Sequence, residues 1–442
     1  MKKTNIVLLC ILLLLLTLVG CSSDESVIFE EDMLIQNSTS LSEKMAKGEF
    51  EEVVVQFSEK MKKSLTVTGL KASYNGVVAD IGEFVEFNSA TFSKKGKIAT
   101  VDAILEYKEN GIKVSFSYNT ENEIVGLWIN YATIKKDLVH NATYKEIAIL
   151  IGNGENKLDG ILCLPKIDKA VDVAILVQGS GQSDLNETIG TASNVPFKDI
   201  AIGLAEKGIA SIRYNKRYYQ YPKTATEEMT IYDEVLNDVK DAINFAGNNE
   251  HSKFERITII GHSLGGMLAP KIAQDNPAVD KIISLAGSPR KLEDIILEQN
   301  KDVLKGMTDK TQTQKDKLLN QVQQEVGRVK NLKKGEKGKA ILGVPSFYWY
   351  SLNQIDSKEI AQNLEIPMLF LQGKADFQVK VKLDFAEWQE ALKGKSNVTF
   401  KGYPNLNHLF MKTNGKTDVS EYNIKGEVDK TVINDMCTWI VE

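Results

Sequence analysis

One serine in this chain stands in a setting that suggests chemistry. Ser263 is the central residue of Gly-His-Ser-Leu-Gly at 261–265, which follows a β-branched run at 257–260 and precedes a helix-forming segment at 267–274. Such a strand-turn-helix passage holds the serine at strained backbone angles, and a Cβ at either glycine would collide with a neighbouring strand or helix. The N–H groups at the start of the helix point at the serine. The pattern predicts a nucleophile, although the pentapeptide can also be an ordinary glycine-rich turn.

A serine hydroxyl is a weak nucleophile at neutral pH, so the chemistry needs a base within hydrogen-bond reach. The chain offers four histidines. His140 precedes the predicted parallel sheet, and His251 lies in the loop before the strand that leads to Ser263. His262 directly precedes the serine, and we expect its side chain to point away from it. His408, after the last predicted strand, remains as the predicted base.

The elements that position these residues begin at about residue 144, where short apolar strands start to alternate with amphipathic helices. Strands are predicted at 147–151, 160–164, 173–177, 209–214, 257–260, 282–285, 368–371 and 398–400. Helices are predicted at 197–207, 232–246, 264–274, 381–392 and 428–441. This alternation is typical of an α/β fold with a mostly parallel sheet covered on both faces.

Eight strands, with the serine turn after the fifth, resemble the α/β-hydrolase fold over roughly residues 144–442. The resemblance implies a base after the last strand, where His408 lies, and an acid after strand seven. Residues 369–379 are similar to the family's strand-Gly-x-x-Asp segment, which identifies Asp376 as the residue that accepts the imidazole N–H. Asp384 and Asp356 are the alternatives.

The family also stabilises the developing oxyanion with two backbone N–H groups. The resemblance assigns one to Leu264, directly after the nucleophile. The other belongs to the loop after strand three, where we favour the N–H of Ser180 over that of Gly181. Gln178 stands where many esterases have a histidine, and this departure leaves the choice of donor open.

A basic segment at 212–217 resembles the family's Arg-Tyr-Asp-Lys-Arg-Gly element after strand four. Asn215 replaces the aspartate of that element, and Tyr218 replaces its glycine. Arg213 and Arg217 could bind a substrate carboxylate, but structural ion pairs are the favoured interpretation.

Residues 288–346 interrupt the alternation between strands six and seven. They are rich in lysine and glutamine and have helical character. The α/β-hydrolase resemblance implies a cap or lid at this place, and a solvated helical decoration is the alternative. The aromatic stretch at 344–350 suits either a wall of an acyl pocket or core packing.

The amino terminus resembles a bacterial lipoprotein signal at 1–20. Its apolar run at 6–19 is too short to span a bilayer comfortably, and it leads directly into Gly20-Cys21. The resemblance implies that Cys21 becomes lipid-modified and anchors the chain on the extracytoplasmic side of a bacterial membrane. An ordinary secretory signal is the alternative. Residues 21–40 are polar and acidic, which predicts a tether.

A smaller α+β domain is predicted at 41–132, ahead of the hydrolase domain at 140–442. It combines a helix at 41–64 with an antiparallel sheet of four strands, two of them joined at the hairpin signal Asn110-Gly111. The strands are predicted at 84–87, 98–107, 112–119 and 124–129. The pattern resembles the cystatin-like or nuclear-transport-factor-like domain of unknown function that often precedes secreted hydrolases.

Length and composition exclude several classes of function. A chain of 442 residues is expected to hold two domains, and a net charge of -5 argues against a nucleic-acid partner. Of four cysteines, only Cys163 and Cys437 remain after the signal and Cys21, so we predict no disulfide framework. No Cys/His cluster suggests a metal, and the expected chemistry requires no cofactor.

Together these features predict a serine hydrolase that cleaves carboxylic esters, of short acyl chain, through an acyl-enzyme on Ser263. Its expected partners are a small-molecule ester and the membrane that holds its lipid anchor. One alternative is a serine aminopeptidase or acyl-peptide hydrolase of the same fold. A non-catalytic binding lipoprotein is the other.

Overall fold

A computed structural model describes residues 29–442, except for 80, 109–110, 133–137, 140, 155, 168, 250, 309 and 337–339. The contacts divide the described chain into two compact units. The larger unit comprises 138–189 and 194–442, and the smaller comprises the residues up to 137 together with 190–193. The predicted signal, Cys21 and His140 lie outside the described residues. None of the helices that are described is long and apolar enough to cross a membrane.

In its described residues, the smaller unit packs four helices against a four-stranded antiparallel sheet. Its helices are α1 (Glu31–Ala46), α2 (Phe50–Val55), α3 (Glu59–Ser64) and α4 (Val67–Val78). Its strands are β1 (Phe84–Lys95), β2 (Ile98–Tyr107), β3 (Gly111–Tyr118) and β4 (Ile124–Ala132), adjacent in that order. All four predicted strands are therefore present. Asn110 of the predicted hairpin lies outside the described residues, but β2 and β3 pair with Glu106 opposite Gly111.

The prediction of a single helix at 41–64 was wrong, because capping residues divide that stretch. Gly48 has φ 84°, which ends α1 in a left-handed conformation that favours glycine. The Ser58 hydroxyl accepts a hydrogen bond from the Met61 N–H at the start of α3, and Thr66 caps α4 in the same way. The end of α1 and the six-residue helices α2 and α3 therefore replace the predicted helix, and α4 follows them.

The prediction of a tether up to residue 40 was also wrong, because α1 already begins at Glu31. Leu34, Ser38, Leu41 and Met45 lie on one buried face of this helix at spacings of three and four residues. The Ser38 hydroxyl lies 2.8 Å from the Tyr118 hydroxyl of β3. Residues 31–40 therefore belong to the core of the smaller unit.

The larger unit contains one eight-stranded mixed sheet. Its strands are β5 (Tyr144–Ile151), β6 (Leu158–Pro165), β7 (Val171–Val177), β8 (Ala210–Tyr214), β9 (Phe254–His262), β10 (Lys281–Leu285), β11 (Met368–Gly373) and β12 (Val398–Tyr403). Their spatial order is β12-β11-β10-β9-β7-β8-β6-β5. β5 and β6 pair with their neighbours in antiparallel fashion, and the remaining pairs are parallel. All eight predicted strands are confirmed, and the fold is that of an α/β-hydrolase.

Helices cover both faces of this sheet. They are α5 (Pro196–Glu206), α6 (Arg217–Gln220), α7 (Asn237–Asn248), α8 (Leu264–Asp275), α9 (Leu292–Gly306), α10 (Gln312–Lys330), α11 (Ser346–Asn353), α12 (Ser357–Asn363), α13 (Ala386–Ala391) and α14 (Lys430–Val441). Single π-helical turns precede α7 and α13. In β9, Ile259 packs in the core that contains α7 and α8, whereas Ile260 packs in the core that contains α5 and α14. Burial on both faces explains the apolar runs of inner strands such as β9 and β11, whereas the edge strands β5 and β12 are only partly buried.

The stretch predicted as a cap, 288–346, contains α9 and α10 and lies between β10 and β11. Each of the two helices buries one apolar stripe, with Ile295 and Ile296 on α9 and Val326 and Val329 on α10. In the aromatic stretch that follows, Trp349 is fully buried and donates its indole N–H to the Ile341 carbonyl at 2.7 Å. Core packing is therefore the better interpretation of this ring.

Candidate active site

The predicted nucleophile lies at the junction of β9 and α8. Ser263 has φ 53° and ψ -111°, a left-handed conformation that is strained for a residue with a side chain. Such strain costs about 1–3 kcal/mol and persists only where the surroundings impose it. Here the Ser263 N–H donates to the Leu285 carbonyl of β10 at 2.9 Å, and the Ser263 carbonyl accepts from Met267 in α8. The residue is partly exposed within a buried run.

The two glycines of the turn are required by close backbone contacts. A Cβ at Gly261 would lie 2.2 Å from the Gly265 carbonyl oxygen, and one at Gly265 would lie 2.2 Å from the Val177 carbonyl oxygen. Neither backbone oxygen can move without displacing α8 or β7. The collisions expected from the sequence are therefore present.

The predicted base and acid are brought together. His408 follows β12, Asp376 follows β11, and His408 Nδ1 lies 2.6 Å from Asp376 Oδ2. Both residues are buried. Asp376 Oδ1 accepts the backbone N–H groups of Gln378 and Val379, and Oδ2 also accepts the Gln372 side-chain amide at 2.9 Å. These donors hold the carboxylate in one orientation toward the imidazole.

The two alternative acids are engaged elsewhere. Asp384 is fully buried and accepts hydrogen bonds from Ser288 and Arg290. Asp356 caps the amino terminus of α12 by accepting the N–H groups of Lys358 and Glu359. Neither carboxylate pairs with a histidine, whereas Asp376 does.

The serine and the base are close in the fold, but no hydrogen bond joins Ser263 to His408 among the described residues. The rings of His262 and His408 lie 4.7 Å apart between centroids, and His262 is the residue next to Ser263. The Nε2 of His408 has no hydrogen-bond partner in the described part of the chain. Hydrogen bonds of this kind are often long in the absence of substrate.

His262 is a site residue that the sequence analysis missed. Its Nδ1 lies 2.9 Å from Glu187 Oε1, and its Nε2 lies 3.0 Å from the His408 carbonyl oxygen. Burial alone would lower the pKa of His262. The Glu187 carboxylate, its hydrogen bond to the ring and the hydrogen bond to the His408 carbonyl outweigh burial and raise this pKa. The sequence signals for this contact were an acid in the loop after β7 and a histidine beside the predicted nucleophile, and neither indicates that the two residues meet.

The loop predicted to supply an oxyanion donor passes directly beside the serine. A Cβ at Gly179 would lie 3.2 Å from the Ser263 Cβ. Gln178, which stands at the family's histidine position, donates its side-chain amide to the backbone carbonyls of Tyr214 and Asp184. Within the described residues, the N–H groups of Ser180 and Leu264 donate to no protein acceptor, and Ser180 is exposed.

The ion-pair interpretation of the two arginines is confirmed. Arg213 is fully buried, and its guanidinium lies 2.5 Å from Glu146 Oε1. Arg217 forms an ion pair with Asp238, and burial raises the pKa of this carboxyl group to about 6 despite the arginine. Both arginines are therefore held in structural ion pairs.

The described residues contain no cluster of three or more His, Cys, Asp or Glu side chains that could hold a metal ion. Cys163 and Cys437 are both free and buried. Burial raises the pKa of the Cys163 thiol to about 12 and that of the Cys437 thiol to about 11, so both are inert thiols at neutral pH.

Comparison with known families gives two matches along the chain. A family described as serine aminopeptidase, S33, matches residues 193–414. A family described as a protein of unknown function, DUF3887, matches residues 38–127. The first match contains Ser263, Asp376 and His408, and the second contains most of the smaller unit.

Individual relatives extend these matches. Esterase EstD from Thermotoga maritima is 32% identical over 399 residues, which cover 89% of this chain and 92% of that protein. Est1E from Butyrivibrio proteoclasticus superposes with a TM-score of 0.42 at 14% identity and covers 66% of this chain and 98% of its own. The esterase domain of a Rhodothermus marinus protein gives a TM-score of 0.40 at 15% identity, covering 67% and 97%. The similarity to EstD necessarily includes residues of both units.

Proposed function

Since this chain belongs to the serine aminopeptidase, S33, family of α/β-hydrolases and is a carboxylesterase-like hydrolase, we propose that it cleaves short-chain carboxylic esters through an acyl-enzyme on Ser263. The observation that carries the proposal is the buried hydrogen bond of 2.6 Å between His408 and Asp376, which follow the last two strands of the sheet. The contact occupies Nδ1 of the imidazole and leaves Nε2 for the serine.

In the proposed mechanism, Ser263 Oγ attacks the ester carbonyl carbon while His408 Nε2 takes its proton. Asp376 accepts the Nδ1–H, fixes the tautomer and stabilises the imidazolium that forms. The carbonyl oxygen becomes an oxyanion that accepts the N–H groups of Leu264 and Ser180. His408 then gives its proton to the leaving alcohol, and water releases the acid by the same steps.

A fluorophosphonate probe tests the nucleophile and the base. The probe should label the wild-type protein, and labelling should be lost in Ser263→Ala and His408→Ala. His251→Ala is a matched control, because this exposed histidine lies in the loop before β9. A wild-type protein that the probe leaves unlabelled would favour a non-catalytic binding lipoprotein.

The ester specificity needs a separate assay. Nitrophenyl esters of increasing acyl length should be cleaved fastest at the short end of the series, and amino-acid anilides slowly. The name of the relative EstD supports esters over peptides. Cleavage of anilides alone would instead identify an aminopeptidase.

We also propose that the protein is anchored outside the cytoplasm through lipid on Cys21. The apolar run that ends in Gly20-Cys21 supports this. An alkyne fatty acid supplied to expressing bacteria should label the wild-type protein and not Cys21→Ser. Equal labelling of both would refute the anchor and leave the esterase proposal intact.

A further inference from the structure

The loop beside the nucleophile is held at Gly179 from two sides. The Gly179 N–H donates to Glu187 Oε1 at 2.7 Å. Its carbonyl oxygen accepts from the Lys216 ammonium group at 2.8 Å. Both polar groups of this glycine are thus bound by side chains from outside its own turn.

Lys216 is unusual because its charge is buried beside the site. The residue is 3% exposed, and besides the Gly179 carbonyl its ammonium contacts Glu234 Oε1 at 2.7 Å. Glu234 is buried as well, so each charge compensates the other. An ammonium group shielded from water acts more strongly on a neighbouring dipole than one at the surface.

The carbonyl of Gly179 and the N–H of Ser180 belong to the same peptide unit. A peptide unit is planar, and no cis bond occurs among the described residues, so the two groups point in opposite directions. A side chain that fixes the direction of the carbonyl therefore fixes the direction of the N–H. A cation at the oxygen also polarises the amide and makes its N–H a stronger donor.

We propose that Lys216 is a positioning residue of the oxyanion hole, which aims and polarises the Ser180 N–H through the Gly179 carbonyl. The inference rests on the proposed function, because it needs an oxyanion to form beside Ser263. It also gives a role to the lysine of the 212–217 segment, whose two arginines are occupied by structural ion pairs.

The larger unit offers a matched control in Lys281. This lysine is also buried, and its ammonium group also donates to main-chain carbonyls, those of Trp439 at 3.1 Å and Ile440 at 2.8 Å. It begins β10, whereas Ser263 follows the carboxyl end of the neighbouring strand β9. Lys281→Met therefore removes the same kind of contact at the opposite edge of the sheet.

The test compares Lys216→Met with Lys281→Met in the full chain, using nitrophenyl acetate and an alkyl trifluoromethyl ketone. Ser263 Oγ bonds to the ketone carbon, its proton passes to His408, and the ketone oxygen becomes an oxyanion. Loss of one oxyanion donor lowers kcat by about 10²- to 10³-fold, and Lys216 acts through such a donor. We expect Lys216→Met to lower kcat roughly 10- to 100-fold at nearly unchanged KM. Affinity for the ketone should fall by the same factor.

Lys281→Met should leave kcat and ketone affinity within about twofold, since the buried contacts of Lys281 lie at the opposite edge of the sheet and do not touch the oxyanion. Wild-type kcat and ketone affinity in Lys216→Met would overturn the inference, as would equal losses in the two lysine variants.

If Lys216→Met does not fold, Lys216→Gln retains a neutral donor and should show a smaller loss of kcat and of ketone affinity. Full activity in Lys216→Gln would also overturn it. Ser263→Ala separates the two proposals, because activity in that variant refutes the nucleophile itself.

Discussion

Two carboxylate–histidine pairs lie side by side in the larger unit. Asp376 pairs with His408, and Glu187 pairs with His262, and the two imidazole rings are 4.7 Å apart. In both pairs Nδ1 faces the carboxylate, and all four residues are buried. A carboxylate partner therefore does not by itself identify a general base.

The pairs differ at the second ring nitrogen. The Nε2 of His262 faces the His408 carbonyl oxygen at 3.0 Å, so both of its ring nitrogens face oxygen atoms. Burial lowers the pKa of this ring, but the Glu187 carboxylate and these hydrogen bonds raise it by more and favour the protonated form. The ring links the Glu187 loop to the loop of His408. His408 Nε2 has no hydrogen-bond partner in the described part of the chain. The comparison supports a structural role for the His262 pair and the proposed role of His408 as the base.

The largest expected effect is the loss of the base. His408→Ala should lower kcat by roughly 10⁶-fold, as removal of a triad histidine does elsewhere. His262→Gln moves the site without removing the proton acceptor, so its loss should not exceed about 100-fold. Initial rates on nitrophenyl acetate measure both. Equal losses in the two variants would abolish the distinction between the pairs.

Substitution of the two carboxylates should distinguish the pairs in the same way, with smaller losses of kcat. Asp376→Asn should lower kcat by about 10⁴-fold, because an amide at this position favours the wrong tautomer of His408. Glu187→Gln keeps an oxygen that can accept the Gly179 N–H, so its kcat should stay within roughly 100-fold of wild type. Single-turnover acylation rates, measured on variants with native circular dichroism, decide the order. A larger loss in Glu187→Gln than in Asp376→Asn would reverse the assignment.

Which parts of this molecule could be predicted from the sequence follows from how local their signals are. The inner strands β9 and β11 contain apolar runs because helices bury both of their faces, and Ser263 and Asp376 follow them. His408 follows β12, an edge strand of alternating exposure, so its signal is its position after the last strand. The link between His262 and Glu187 has no local signal. It joins residues 75 positions apart in the chain, and only the folded loops bring them together.

The smaller unit shows the opposite case. Its strands were visible from β-branched and aromatic residues, but its helix boundaries depend on single residues. Gly48 in a left-handed conformation and the Ser58 cap interrupt a helical pattern that looks continuous in the sequence. The buried face of α1 includes small polar residues such as Ser38, so it reads as a polar tether. Hydrophobic periodicity cannot find a helix whose core face is partly serine.

The next effect concerns stability. Glu187 Oε2 is buried and has no hydrogen-bond partner among the described residues, so the charge of this carboxylate depends on His262. His262→Gln leaves that charge unpaired and should lower the free energy of unfolding by about 3–5 kcal/mol. The double variant Glu187→Gln/His262→Gln removes both charges and should recover most of the loss. Urea unfolding measures the coupling, and additive losses in the double variant would show that the two residues do not form an ion pair.

The smallest expected effect is on the pH dependence of stability. Glu187 and, more weakly, Asp376 raise the pKa of His262 above its ordinary value of 6.5, although burial opposes them. The folded protein therefore holds this proton more tightly than the unfolded chain does. The stabilisation is complete below pH 6.5 and is lost as the pH rises through the folded pKa, by about 1.4 kcal/mol for each unit between the two values.

The double variant Glu187→Gln/His262→Gln removes the titrating ring without leaving the buried Glu187 carboxylate unpaired. The difference in unfolding free energy between wild type and this double variant, measured in urea from pH 5 to pH 9, should be largest at the acidic end and shrink as the pH rises. A constant difference would mean that His262 keeps one protonation state over the range. A difference that grows with pH would mean that the ring is neutral in the folded protein, so that one of its nitrogens faces an oxygen without a proton between them. That outcome would remove the contrast between the two pairs, because His262 would then be a neutral imidazole like the predicted base.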